Sequence, residues 1–175
     1  RLLAVDRDSL VWLMTGNQLE PVSKPELGMR RMRALSCDGP NGWLVGDGGA
    51  MLSTKDGGRS WRSPDRDIPA EITQQFDWET VAVRGKKCWI AGSPGTCVLH
   101  SPDGGASWQT FQTRHPLPIR KIWFLDEHHG WAVGAFGGIL ATHDGGRSWR
   151  MQHRGAERTA LAGVFSKVQN VPWEL

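Results

Sequence analysis

Three aspartates, Asp56, Asp103 and Asp144, each open the same pattern, Asp-Gly-Gly-x-Ser-Trp, which closes at Trp61, Trp108 and Trp149. Carboxylates repeated this regularly suggest two chemistries: a cation held among them, or an acid and a base facing one another across a glycoside-binding cleft. The first needs convergence, and Asp-to-Asp spacings of 47 and 41 residues put each aspartate on a separate unit, at its rim. The second needs paired acids; outside the repeats the candidates are Asp47, Asp77, Glu79, Asp126 and Glu127, and no two are recognisably paired. Histidine adds little: His128 and His129 are adjacent, so a strand would send them to opposite faces and a turn would leave them solvated, while His100, His143 and His153 are scattered. Every Gly-Gly pair belongs to a hairpin turn, with none at a strand-to-helix junction where phosphate would bind. No catalytic residue, metal or cofactor is expected.

The alternative is that these residues build turns. An aspartate at a tight turn accepts hydrogen bonds from N–H groups one to three residues on, and the glycines supply positive φ. The serine hydroxyl adds a second local bond, and the indole folds back as an apolar plug. Asp56, Gly58, Ser60 and Trp61, then Asp103, Gly105, Ser107 and Trp108, then Asp144, Gly146, Ser148 and Trp149 are therefore read as structural.

The elements that carry these turns follow from the residues upstream. Gly42-Trp43-Leu44-Val45-Gly46, Cys88-Trp89-Ile90-Ala91-Gly92 and Gly130-Trp131-Ala132-Val133-Gly134 are equivalent apolar strands. In the third unit Arg120–Leu125, Trp131–Val133, Gly138–Thr142 and Ser148–Gln152 make four strands in a single meander. The first unit repeats this from Met32 to Arg62 and the second from Thr80 to Phe111. Four-stranded units of this period stack face to face as β-propeller blades, so the fold class is all-β, with three clear blades forming part of a larger propeller. The expected boundaries are blades at residues 30–63, 78–112 and 119–153. Residues 1–29 are expected to hold a linker and the outer part of a preceding blade, with Leu10–Met14 as one strand. Residues 154–175 start a further blade or another domain, Arg158–Phe165 being a short helix or strand, and the chain is expected to be a piece of a longer protein.

Composition agrees. Of 175 residues 39% are hydrophobic and 22% charged, enough for a buried core and against disorder. Six of the ten tryptophans occupy the two equivalent repeat positions, which accounts for most of their excess. A net charge of +3 is too small to argue for nucleic acid, and no nucleic-acid partner is expected; Arg30-Arg31-Met32-Arg33 is the one dense basic cluster, either a functional patch or a solvated strand entrance. No apolar run is long enough to span a bilayer. Three cysteines do not make a disulfide framework; Cys88 and Cys97 flank a turn and could approach across strands, with the outcome open, and Cys37 reads as a small buried residue.

Thr54-Lys55-Asp56-Gly57-Gly58-Arg59-Ser60-Trp61 and its two counterparts resemble the BNR or Asp-box repeat. With the preceding Gly-Trp-x-Val-Gly strands, residues 30–153 are most similar to the photosystem II stability and assembly factor family, within the sialidase-like propellers. The resemblance implies a non-enzymatic propeller that assists assembly by capturing a protein or peptide partner, such as an acidic or membrane-protein segment. It also implies a propeller commonly of seven blades; the chain is expected to be a monomer in an extracytoplasmic space: periplasm, thylakoid lumen or secreted. Asp-boxes also occur in sialidases and xyloglucan-degrading enzymes, which makes the alternative a propeller or accessory part of a larger secreted hydrolase. A sialidase uses a tyrosine nucleophile, and this chain has no Tyr. Arg59 matches Arg147 and Arg62 matches Arg150, while the middle unit has Ala106 and Gln109 there. These four, with Arg120, are the candidate partner-binding residues.

Overall fold

The computed structural model describes residues 3–23, 30–64, 68, 76–94, 96–114 and 118–153. Among them every regular element is a strand except two single 3₁₀ turns, Asp47–Gly49 and Ala135–Gly137. The first sheet contains β1 (Leu3–Val5), β2 (Val11–Thr15) and β3 (Gln18–Ser23). The second contains β4 (Met32–Asp38), β5 (Asn41–Gly46) and β6 (Met51–Thr54). The third runs through β7 (Asp77–Arg84), β8 (Lys87–Ser93), β9 (Cys97–Ser101) and β10 (Gln109–Gln112), and the fourth through β11 (Ile119–Phe124), β12 (Gly130–Gly134), β13 (Ile139–Thr142) and β14 (Arg150–His153). All are antiparallel meanders in chain order, and the architecture is that of β-propeller blades.

The sheets stack, so an inner sheet is covered on both faces and its strands read as unbroken apolar runs. In β8 the side chains of Cys88, Trp89, Ile90 and Ala91 are all fully enclosed. Three cores alternate with the sheets. Val11 meets Met32, Leu44 and Leu52; Trp43 and Val45 meet Trp78, Val81 and Val83; Trp89 and Val98 meet Ile122, Phe124 and Leu140. Each enclosed aliphatic side chain contributes about 2 kcal/mol.

Each inner strand carries an irregularity at one equivalent place. The register shifts between Met32 and Ala34, between Trp78 and Thr80, and between Ile119 and Lys121. The residues set out by these bulges are Arg33, Glu79 and Arg120, all charged. Opposite them stand Gly46, Gly92 and Gly134. At Gly46 a Cβ would lie 2.0 Å from the carbonyl oxygen of Arg31, just before β4, and at Gly92 1.9 Å from that of Asp77 in β7, so close backbone approach requires glycine.

The second sheet has three strands and, in place of a fourth, a single bridge between Ser53 and Arg62. Arg62 N donates to Ser53 O at 2.9 Å and Ser53 N to Arg62 O at 2.8 Å. The next rung would need the N–H of residue 64, and Pro64 has none. In the first sheet Asp6 N donates to Leu10 O, as Gly46 N does to Ala50 O and Gly134 N to Gly138 O. That shared loop sets β1 beside β5 and β12, so β1–β3 correspond to the second, third and fourth strands of a repeat. The expectations for residues 154–175, and for most of the connections around Pro69 and before Pro118, lie outside the described residues.

Candidate functional site

The three Asp-Gly-Gly turns fold alike because the same short-range bonds are available to each. The hydroxyls of Thr54, Ser101 and Thr142, two residues before the aspartates, donate to Asp56, Asp103 and Asp144 at 2.7, 3.0 and 2.8 Å. The same oxygens accept the N–H of Gly58, Gly105 and Gly146 at 3.0, 2.8 and 2.9 Å. On the far side, Ser60, Ser107 and Ser148 each give the aspartate an N–H and a hydroxyl, the latter at 2.6 Å. The leading Ser or Thr was missing from the candidate set, although its signal, a hydroxyl two residues before every Asp, stands in the sequence.

These bonds fix the charge of the carboxylates. For Asp103 the Ser107 hydroxyl is the largest influence, followed by backbone N–H groups, and the carboxyl is held down to about 2. Burial works against ionisation of Asp56 and Asp144, yet the bonds from Ser60 and Thr54, and from Ser148 and Thr142, outweigh it and hold both below the usual range. The aspartates remain on separate sheets, and each is occupied by its own turn.

Behind each turn lies an aromatic or aliphatic seat on the preceding sheet. Gly105, at φ +97°, stands where a Cβ would be 2.7 Å from the Trp43 ring; Gly58 meets Leu3 at 2.7 Å and Gly146 meets Trp89 at 3.1 Å. Trp89 Nε1 also donates to Gly145 O at 2.7 Å. Trp61 and Trp149 close their own turns by donating to Gly58 O and Gly146 O. Trp108 departs from this: its buried Nε1 has no partner, and the ring meets Trp43 edge-on at 5.1 Å.

Between the second and third sheets a groove of about 330 Å³ opens over Trp43, with Ser53, Lys55, Lys86 and Ala106 on its walls. At the next junction His100 takes the place of Ser53, opposite Trp89. Its ring lies 5.2 Å from Trp89 and 5.9 Å from Phe111, and neither nitrogen has a partner. Burial, with Lys87 and Arg147 nearby, pushes this imidazole down to about 4.

The five candidate arginines do not converge on one site. Arg59 and Arg62 lie exposed on the turn and outer edge of the second sheet, Arg147 and Arg150 on those of the fourth, with Ala106 and Gln109 of the third sheet between them. Arg120 belongs to an inner strand and clasps Glu79 through both carboxylate oxygens at 2.6 and 2.7 Å. The acids weighed for glycoside chemistry are likewise engaged: Asp47 by Arg33, Asp77 by Gly48 N, Glu127 by Lys87, and Asp126 by His128 N and His129. Among the described residues no group of three His, Cys, Asp or Glu is placed to hold a metal ion, and no helix is long and apolar enough to cross a membrane. Cys37, Cys88 and Cys97 are free thiols. Cys88 pairs with Ser101 and Cys97 with Gln112, so this register keeps the two cysteines out of step. Cys37 is half-buried, and burial raises its thiol to about 11.

Comparison with known proteins adds the following. Residues 32–122 match the family described as "Photosynthesis system II assembly factor YCF48". The photosystem II assembly lipoprotein Ycf48 of Synechococcus sp. (strain CC9902) is 33% identical over 114 residues, which is 64% of this chain and 33% of that protein. The chloroplastic photosystem II stability/assembly factor HCF136 of Oryza sativa subsp. japonica is 31% identical over 117 residues, 65% of this chain and 27% of that protein. The chain thus spans about a third of the length of the curated relatives it matches. Among solved structures, YCF48 from Cyanidioschyzon merolae superposes with a TM-score of 0.67 at 26% identity over 79% of this chain and 44% of that one. YCF48 bound to D1 peptide gives 0.61 at 28% identity, over 73% and 43%. An ancestral GH74 enzyme gives 0.61 at 15% identity over 90% and 23%, a likeness of fold alone.

Proposed function

Because this chain belongs to the photosystem II assembly factor Ycf48 family, we propose that it is a non-enzymatic propeller module that captures a protein or peptide segment during assembly of such a complex. Three blades at residues 30–63, 78–112 and 119–153, with β1–β3 as the outer strands of a preceding one, form its frame. The carrying observation is the division of charge. The Asp-box carboxylates are held by their own turns, whereas Arg59, Arg62, Arg147 and Arg150 face outward. Exposed guanidinium groups on a rigid scaffold suit carboxylate-bearing or acidic segments. A relative solved with a D1 peptide supports a protein or peptide partner, and a relative described as a lipoprotein supports an extracytoplasmic location.

The test is fluorescence anisotropy with the labelled D1 peptide of that complex. Saturable binding that weakens with salt is expected, and the pair Arg59→Glu with Arg147→Glu lowers affinity about tenfold. Absence of saturable binding, or release of reducing sugar from xyloglucan by this chain, overturns the reading. Undiminished affinity in the double variant removes these arginines from the site.

A further inference from the structure

We infer that His129 and His143 form a two-histidine site for a divalent transition-metal ion of the zinc, nickel or copper class, at the hairpin end of the fourth sheet. His129 lies just before β12 and His143 just after β13, flanking the cross-strand pair of Gly130 and Thr142. Their rings stand with centroids 5.4 Å apart and planes at 76°. Two imidazoles joined through nitrogen to one tetrahedral ion, each at about 2.1 Å, have centroids about 5 Å apart. A slight turn of the exposed His143 ring therefore brings both onto one ion.

The repeat itself does not call for this pair. The corresponding residues are Asn41 with Lys55 in the second sheet and Lys87 with Pro102 in the third. There the first residue reaches the next sheet: Asn41 donates to Gly85 O at 3.1 Å, and Lys87 to Glu127 at 2.6 Å. His129 is held within its own turn. Asp126 Oδ1 accepts the N–H groups of His128 and His129, each at 2.7 Å, and Asp126 Oδ2 lies 2.9 Å from His129 Nδ1. A carboxylate only accepts, so Nδ1 carries the proton and Nε2 keeps the lone pair that a metal requires. A carboxylate behind the ligating imidazole fixes its tautomer and orientation and raises its basicity.

The backbone beneath both rings is fixed as well. His129 O accepts the N–H of Leu125 at 2.8 Å, and His128 O accepts that of Gly145 at 2.9 Å, which ties the turn before β12 to the Asp-Gly-Gly turn. His143 stands between Thr142 and Asp144, whose side chains bond at 2.8 Å. A pair positioned in advance loses little freedom on binding. Imidazole nitrogen suits zinc, nickel and copper, whereas magnesium and calcium take oxygen ligands. Two protein ligands leave the other coordination positions to water.

The experiment is titration calorimetry of the whole chain with zinc chloride, with amide NMR to locate the ion. One ion per chain should bind, and the largest amide shifts should fall at Gly130 and His143. His129→Asn and His143→Lys bring in residue types that the second sheet carries at the same places, so each should keep the parent's circular dichroism while losing saturable zinc binding. Asp126→Asn should weaken binding about tenfold, and His128→Ala should leave it unchanged. Absence of zinc binding to the parent overturns the inference, as does undiminished affinity in either histidine variant or an equal loss in His128→Ala. Calcium chloride binding as tightly as zinc would make carboxylate oxygens the ligands and overturn it too.

Discussion

His100 is the residue whose chemistry most opposes its surroundings. It lies between Trp89 and Phe111, 7% exposed, with both ring nitrogens unpartnered and its imidazole pushed down to about 4 by burial and by Lys87 and Arg147. Its folded value is below the roughly 6.5 of an unfolded histidine, so the neutral form belongs to the fold and protonation to the unfolded chain. The resulting stability is complete above pH ~6.5 and declines as pH falls toward 4. Asp103 acts in a lower window: its depressed carboxyl stabilises above pH ~4, and that contribution is lost as pH drops through about 2. His100→Phe should flatten urea stability between pH 6.5 and 4.5 and raise it at pH 7 by about 1 kcal/mol, since a buried group without hydrogen bonds is replaced by an apolar ring. A variant whose slope matched the parent's would show that His100 is not the titrating group. Residue order gave no warning of this enclosure, because a histidine in a strand is equally compatible with solvent; only the stacking of the next sheet decides.

At the scale of elements, the paired glycines of each turn do different jobs. Gly104 has φ +79° and open space where a Cβ would stand, whereas Gly105 has φ +97° and the Trp43 ring 2.7 Å away. Gly104→Ala should cost about 1 kcal/mol for the backbone conformation alone. Gly105→Ala should cost about 3 kcal/mol, the added part being overpacking against Trp43. Equal losses in thermal melts would dissociate the turn from the seat behind it. The strand pattern and the all-β fold were legible because a Trp three residues before a Gly, with apolar residues between, and Asp-Gly-Gly recur with the same polar punctuation. The bulges at Arg33, Glu79 and Arg120 were not, since nothing in Met-Arg-Ala, Trp-Glu-Thr or Ile-Arg-Lys marks an extra residue. The cysteine question was equally undecidable, because cross-strand register depends on how the Ser93–Thr96 connection folds. At the candidate site, the equivalence of Arg59 with Arg147 could be read from spacing, but the engagement of Arg120 by Glu79 depends on two sheets meeting.

For the whole molecule, the stack of sheets makes stability a matter of neighbours. The second sheet has Val11 and Leu3 of the first on one side and Trp78 and Val81 of the third on the other, while the fourth sheet's core contains residues of the third and fourth sheets. Deleting residues 1–29 should uncover Leu44 and Leu52, about 2 kcal/mol for each side chain fully bared. Hydrogen exchange should then quicken in β4–β6 and remain unchanged in β11–β14; uniform quickening across all sheets would mean a single cooperative unit instead. Pro64 acts on this same scale although it is one residue. Standing at the outer rung next to Arg62, it offers no N–H to the carbonyl of a stranger's strand, which blunts this margin against edge-to-edge pairing. The proline that costs this sheet its fourth strand is thereby also a guard against aggregation.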